Sequence, residues 1–351
     1  MDVNRLIIPE PFSGGIFLTY KCTNECRHCM YACSPTWRSD WISLSDAEKI
    51  LKILSASFKK WYPKNSGQIG VNLGLHLTGG EPFLNFNLLL NLVKMADEHE
   101  IPSVFVETNC FWCTDDEETE GKLCELRDAG LKGILISANP FLVEYIPFER
   151  IERAIKISKR IFNGNVVVYQ NLFLNQMRAI GLKGTLSFEK YLSVMGEKDP
   201  LGLYAGLSFP SILPMGRAPY RIGHLYRRYP ASRFFNESCM EELTRDWHVH
   251  VDNYCNYISG YCAGISLGDA RDLEKICQDG VNLDEHPIIE ILASPRGVMK
   301  LFEYAVREYG YREKDNGYVS KCHLCLDIRK HIVEQTDEFS ELKPRDFYRY
   351  L

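Results

Sequence analysis

GIFLTYKCTNECRHC, from Gly15 to Cys29, sets three cysteines on one tight loop directly after a short apolar run of β character. Three thiolates placed this way can hold three irons of a 4Fe-4S cube and leave the fourth iron open. A closed zinc site wants a fourth ligand, and Cys33, four residues on, offers one. The spacing alone serves either metal, so the surrounding chain has to decide.

Downstream, Ser45-Asp46-Ala47-Glu48 fits a capping box, with Ile50, Leu51, Ile53, Leu54 and Phe58 following at helical spacing. Val71, Leu73, Leu75 and Leu77 alternate as a strand does, up to Gly79-Gly80. Asn85 to His99 reads as a helix, Val104 to Thr108 as a strand, and Glu117 to Ala129 as a helix stopped by Gly130. Ile134 to Ser137 is β-like, Phe148 to Ile161 helical, and Val166 to Tyr169 a strand. Strands alternating with helices predict a βαβ series around a parallel sheet, with ligands held beyond the carboxyl ends of the strands. After Phe209 the rhythm breaks at Pro210, Pro214, Gly216 and Pro219. We expect a boundary between 210 and 235, with domains at 1–215 and 216–351. Helical patterns return at Ile288 to Leu292, Met299 to Tyr309 and Leu324 to Val333.

Composition narrows the chemistry. Thirteen cysteines in 351 residues fall well short of the roughly 8–10% of a disulfide scaffold, and an odd number cannot pair completely within the chain. The 41 Lys and Arg against 46 Asp and Glu give a net charge of −5, which disfavours nucleic acid as a partner. The opening MDVNRLIIPEPFSGG holds only the apolar run Leu6 to Ile8 before Pro9 and Pro11, too short for a signal-peptide core. No stretch approaches the roughly 20 apolar residues of a membrane span. A cytoplasmic location without membrane association is expected, where clustered thiols stay reduced and bind metal or catalyse.

Set in that βαβ order, the cysteine loop resembles the radical S-adenosylmethionine (radical SAM) superfamily over roughly Gly15 to Phe209. The loop has the family's three-residue then two-residue spacing, with His28 at its variable, often aromatic position. Thr78-Gly79-Gly80-Glu81-Pro82 looks like the glycine-rich segment that binds the methionine amino group. Glu107-Thr108-Asn109 stands where relatives carry Thr-Asn-Gly, with Cys110 departing from the glycine. Ser137-Ala138-Asn139 ends the fourth strand, where a serine and a polar residue often approach the SAM ribose and carboxylate. The resemblance implies a partial (β/α)6 TIM-like barrel. It implies a SAM-binding 4Fe-4S cluster on Cys22, Cys26 and Cys29, and SAM contacts from Gly79, Gly80, Glu81, Asn109 and Ser137. Reductive cleavage of SAM would then give a 5′-deoxyadenosyl radical that abstracts hydrogen from substrate. A one-electron reductase such as flavodoxin or ferredoxin is the implied partner, and oxygen sensitivity follows.

Beyond the barrel, Cys322-His-Leu-Cys325 opens a helical pattern and offers two ligands to one metal. Against the family's C-terminal extensions, Cys239, Cys262, Cys322 and Cys325 resemble the small α+β auxiliary-cluster module called twitch, a trimmed relative of SPASM. Cys255 rivals Cys239. Four ligands would saturate a second 4Fe-4S cluster, which suits electron acceptance and a two-electron oxidation of a small-molecule or peptide substrate. The alternatives are a peptide maturase (epimerase or cross-linking), with Cys110 as hydrogen-atom donor, and a non-catalytic iron–sulfur or zinc protein. His248, His250 and Asp252 form either a ligand set or polar contacts of a hairpin. Arg217, Arg221, Arg227, Arg228 and Arg233 form either an anion-recognition surface or a solvated face.

Overall fold

The computed structural model describes residues 4–62, 67–209 and 211–351; Pro210, one of the expected chain breaks, lies outside them. Two compact units form. The first comprises Phe12–Cys26 and Cys33–Ile212, and the second Leu213–Leu351 with Arg27–Ala32 and the N-terminal segment up to Pro11.

In the first unit five strands, β1 (Ser13–Phe17), β2 (Gly74–Thr78), β3 (Phe105–Thr108), β4 (Gly133–Ser137) and β5 (Val166–Tyr169), lie side by side in chain order, each parallel to the next. Helices α1 (Leu44–Trp61), α2 (Phe86–Glu98), α3 (Asp116–Asp128) and α4 (Phe148–Ile161) make the crossovers. This is the mixed α/β class with a parallel sheet that the alternating pattern predicts. Two local expectations shift. The β2 strand begins at Gly74 because Gly70 to Leu73 close a turn, Leu73 N donating to Gly70 O at 2.8 Å. The capping box of α1 sits two residues earlier than expected. Ser43 is the N-cap, its Oγ accepting from Asp46 N at 3.1 Å and donating to Asp46 Oδ2 at 2.7 Å. Asn85 and Asp115 cap α2 and α3 the same way, each such cap contributing ~1 kcal/mol.

Register sorts the strand side chains into two faces. Leu75, Leu77, Val106, Ile134 and Ile136 form one face, fully buried and apolar. On the other, Phe105 and Leu135 pack with Ile69, Val71 and Val167 into an apolar plug. Along that same face, toward the carboxyl ends, His76, Thr78, Glu107 and Ser137 replace apolar residues. Polar groups collect where the loops begin.

The second unit is built on helices. A short hairpin, β6 (Val249–Val251) and β7 (Tyr257–Ile258), is accompanied by α5 (Pro287–Ala293), α6 (Gly297–Tyr309) and α7 (Lys321–Gln335). Helix α7 is fixed on one side by Asp327, which accepts from Tyr311 at 2.8 Å and Tyr220 at 3.2 Å and pairs with Lys314 at 2.5 Å. Among the described residues no helix is long and apolar enough to cross a membrane.

Candidate iron–sulfur and SAM site

The loop after β1 and the loop after β2 are bonded backbone to backbone. Gly80 N donates to Thr19 O at 2.7 Å, and Glu81 N donates to Lys21 O at 3.0 Å. A Cβ on Gly80 would lie 1.9 Å from Lys21 O, and one on Gly79, at φ +122°, would lie 2.4 Å from Thr19 O. Only glycine permits that approach. The Gly-Gly pair thus sets the strand leading into Cys22.

Glu81 is fully buried and points back into the protein. Its Oε1 accepts from Thr108 Oγ1 at 2.9 Å and Phe83 N at 3.2 Å, and its Oε2 accepts from Asn109 N at 2.8 Å. Burial pushes its carboxyl up to about 7 against the opposing pull of these hydrogen bonds. Thr108 is the hub of the β3 terminus, its hydroxyl also accepting from Cys110 N at 3.1 Å and Trp112 Nε1 at 3.0 Å. The amide of Asn109 donates to Thr23 Oγ1 at 2.9 Å and reaches Cys22 Sγ at 3.5 Å. Here Glu81 and Asn109 bind the cysteine loop, the glycine-rich turn and the end of β3 into one network. Ser137 ends β4 on the polar face and is partly exposed, whereas Asn139 is buried and caps the following turn through Leu142 N at 3.0 Å.

Cys29 and His28 lie in the segment that packs with the second unit. The carbonyl of Cys29 accepts from Arg217 N at 3.0 Å. Burial, with the charge of Arg217, pulls His28 down to about 4, so a neutral imidazole sits beside Cys29 at neutral pH.

Within the second unit, Cys239, Cys262, Cys322 and Cys325 all line one cavity of about 40 Å³, several times the ~10–15 Å³ that one water needs. The elements that deliver them are the N-cap of a short helix (Cys239), the turn after β7 (Cys262) and the first turn of α7 (Cys322 and Cys325). Burial pushes the thiols of Cys239, Cys262 and Cys322 up, the last two to about 12; neighbouring sulfurs add to this, while Arg329 opposes it at Cys262 and Lys321 at Cys239 and Cys322. Four thiols on one cavity offer a metal four sulfur ligands, which give up their protons on binding it. The donor set fits a saturated tetrathiolate centre, and Cys255 is not among the cavity's lining residues.

Lys321 ties the site shut. Its Nζ pairs with Glu242 at 2.5 Å and donates to Ser238 O at 2.9 Å, beside Cys239. Arg329, one turn beyond Cys325, also lines the cavity and is only 5% exposed. The sequence reading passed over Arg329; the signal was the spacing Cys322, Cys325, Arg329, which places all three on one helical face.

The remaining candidates resolve as follows. Cys110 is fully buried at φ 64°, the left-handed backbone that explains why glycine is usual there, and burial beside Cys113 pushes its thiol well up. His250 Nδ1 lies 2.7 Å from Tyr31 OH, which itself donates to Gly260 O at 2.6 Å. Asp252 accepts from Tyr254 N, Asn256 N and Asn256 Nδ2 at 3.0, 2.9 and 3.1 Å. Asp252 is thus committed to its turn, whereas His248 and His250 hold ring nitrogens within 4.8 Å of each other, close enough to share a metal. Arg217 is fully buried and donates to Tyr350 O at 2.9 Å, so it belongs to the core and not to a solvated face.

A family model described as a 4Fe-4S single cluster domain matches residues 15–140. No curated protein matches the chain. Among solved structures, BtrN in complex with AdoMet and 2-DOIA is similar at 14% identity, covering 82% of this chain and 89% of that one, with a TM-score of 0.43. Native anSMEcpe with bound AdoMet and Kp18Cys peptide is similar at 14% identity, covering 97% and 98%, with a TM-score of 0.41. The cysteine loop, Gly79-Gly80-Glu81, Thr108-Asn109 and Ser137 all fall inside the span that matches the 4Fe-4S family. The family match lies over the parallel sheet of the first unit, in a mixed α/β fold.

Proposed function

We propose that this chain is a radical SAM enzyme that carries out a two-electron oxidation of a small-molecule or peptide substrate. When bound, the cluster on Cys22, Cys26 and Cys29 supplies the electron that cleaves SAM to a 5′-deoxyadenosyl radical, and an auxiliary cluster supplies an electron sink. Residues of the chain position and enclose that chemistry. The Gly79-Gly80 turn offers close backbone approach for the methionine end of SAM. Glu81 and Thr108 hold the turn against the end of β3, Asn109 holds the cysteine loop, and Ser137 faces the open ends of the strands. Cys239, Cys262, Cys322 and Cys325 hold the second cluster.

The observation that carries the oxidation is the convergence of those four thiols on one cavity. Four protein ligands leave no metal position for substrate, which suits electron transfer better than substrate binding. An epimerase reaction needs a hydrogen donor that reaches the radical, and Cys110 is fully enclosed. We also propose a cytoplasmic setting, with a flavodoxin or ferredoxin as electron donor.

Anaerobic reconstitution followed by dithionite and SAM is expected to release 5′-deoxyadenosine, read by chromatography. Protein loaded with about eight irons per chain, as two cubes require, that releases none overturns the proposal. Solvent deuterium in the product would replace oxidation with epimerisation.

A further inference from the structure

Arg329 poses a charge problem. A guanidinium is always ionised in proteins, and leaving a buried charge without its partner costs several kcal/mol. The Nη1 of Arg329 donates to Ala263 O at 3.0 Å and Tyr348 OH at 2.7 Å, both neutral, and Tyr348 OH donates onward to Gly264 O at 2.6 Å. Its Nε is buried with no hydrogen-bond partner among the described residues. The other cation of the cavity, Lys321, has its carboxylate in Glu242. No carboxylate pairs with Arg329 among the described residues. What shares its cavity is sulfur: Cys325 lies one turn earlier on α7, and Cys262 and Cys322 line the same cavity.

We propose that Arg329 is the counter-charge of the four-cysteine site, with the Tyr348 hydroxyl holding the guanidinium in place, and that it raises the reduction potential of the cluster bound there. This rests on the auxiliary-cluster assignment above. A 4Fe-4S core on four thiolates carries net negative charge that grows by one on reduction, so a fixed cation beside a ligand sulfur favours the reduced form, and cluster potentials respond to such charges and to N–H···S bonds. A higher potential makes the site a better acceptor for the electron that an oxidised substrate gives up. Arg329 is thus a positioning residue that acts through the cluster.

The test is anaerobic redox titration of the reconstituted enzyme with mediators, followed by EPR, on the parent chain, R329Q, R329K and Y348F. R329Q with about eight irons is expected to show a lower midpoint potential for one cluster and no change in the other. R329K keeps the charge without the fork and should shift less, and Y348F should shift the same cluster in the same direction by less than R329Q. An R329Q protein fully loaded with iron and unchanged in potential overturns the inference. Should R329Q fail to fold, Y348F decides: a fully loaded Y348F with an unchanged potential overturns the inference. A parent enzyme that binds about four irons, or zinc at the four cysteines, overturns the cluster assignment itself. That outcome is read from metal content before any titration.

Discussion

Around Cys22 the supporting groups are backbone amides and carbonyls, with Gly80 and Glu81 bonding to Thr19 and Lys21 across the strand ends, joined by the side-chain amide of Asn109. Around Cys325 they are long charged side chains, Lys321 clamped by Glu242 and Arg329 clamped by Tyr348. The first arrangement fixes geometry and brings little charge, as a site must that leaves room for an incoming ligand. The second brings cations to a cavity that four cysteines line. A three-cysteine loop needs a shaped opening beside it, while a four-cysteine cage needs its charge balanced. The same residue type, used twice, has been given two different kinds of support.

G80A is expected to break the first arrangement and leave the second intact. The new Cβ would lie 1.9 Å from Lys21 O, a backbone atom, with no flexible side chain to yield. The loop after β1 has to move, and 5′-deoxyadenosine production should fall by at least about 100-fold, the scale expected when a reacting group is displaced by about an ångström. The auxiliary cluster's EPR signal should persist. Loss of both signals together, or near-normal 5′-deoxyadenosine, would show that the two sites are not supported independently.

Much of the first site could be read from the sequence, because its parts are short, local and in order. The cysteine spacing, the Gly-Gly turn and the strand-end Thr108-Asn109 each follow a strand whose alternation is visible. What could not be read was which way the side chains point. The resemblance implies SAM contacts from Glu81 and Asn109, and the structure adds that Glu81 accepts three protein donors and Asn109 donates to the cysteine loop. Both sets of contacts are compatible with the same motif, and only packing shows the second. In the second unit the four cysteines span 87 positions from Cys239 to Cys325, so no local pattern could bring them together. There the resemblance supplied the set, and the folded chain supplied the separation of Cys239 from Cys255. Arg217 shows the converse error: a run of arginines reads as a solvated face, but burial depends on partners such as Tyr350 O that lie far away in sequence.

Cys262 and Cys255 sharpen the second half of the comparison. Both are cysteines in or beside the β6–β7 hairpin, but only Cys262 lines the cavity. C262S should lower bound iron from about eight to about four per chain and remove the signal that R329Q shifts, with the SAM-dependent cluster retained. C255S should leave iron content unchanged, apart from a modest loss of stability from altering a buried, left-handed position. Iron analysis with EPR separates these outcomes, and iron loss in C255S with retention in C262S would reassign the ligand.

The smallest effect concerns pH, where Glu107 of the first unit is opposed by His28 of the second, whose folded value lies below its ordinary 6.5. Glu107 sits on the polar face at the end of β3, accepting from Thr78 Oγ1 at 2.7 Å, with His76 Nε2 4.0 Å away. Burial pushes its carboxyl from the ordinary 4.5 up to about 7, opposed by the Thr78 hydroxyl. With the folded value above the unfolded one, the native state binds more protons between these limits. Its contribution is therefore fully present below about pH 4.5 and is lost as pH rises through about 7. Glu81 acts in the same direction over the same window, so E107Q should flatten the wild-type slope without abolishing it. The side chain of Glu107 is about a quarter exposed, which limits the difference to on the order of 1 kcal/mol. Urea midpoints at pH 5 and pH 7.5 under anaerobic conditions measure it. The fixed cations of the second site, Arg329 and Lys321, do not titrate there, so an E107Q protein with an undiminished slope would move the pH response away from the strand ends and out of the backbone-built half of the molecule.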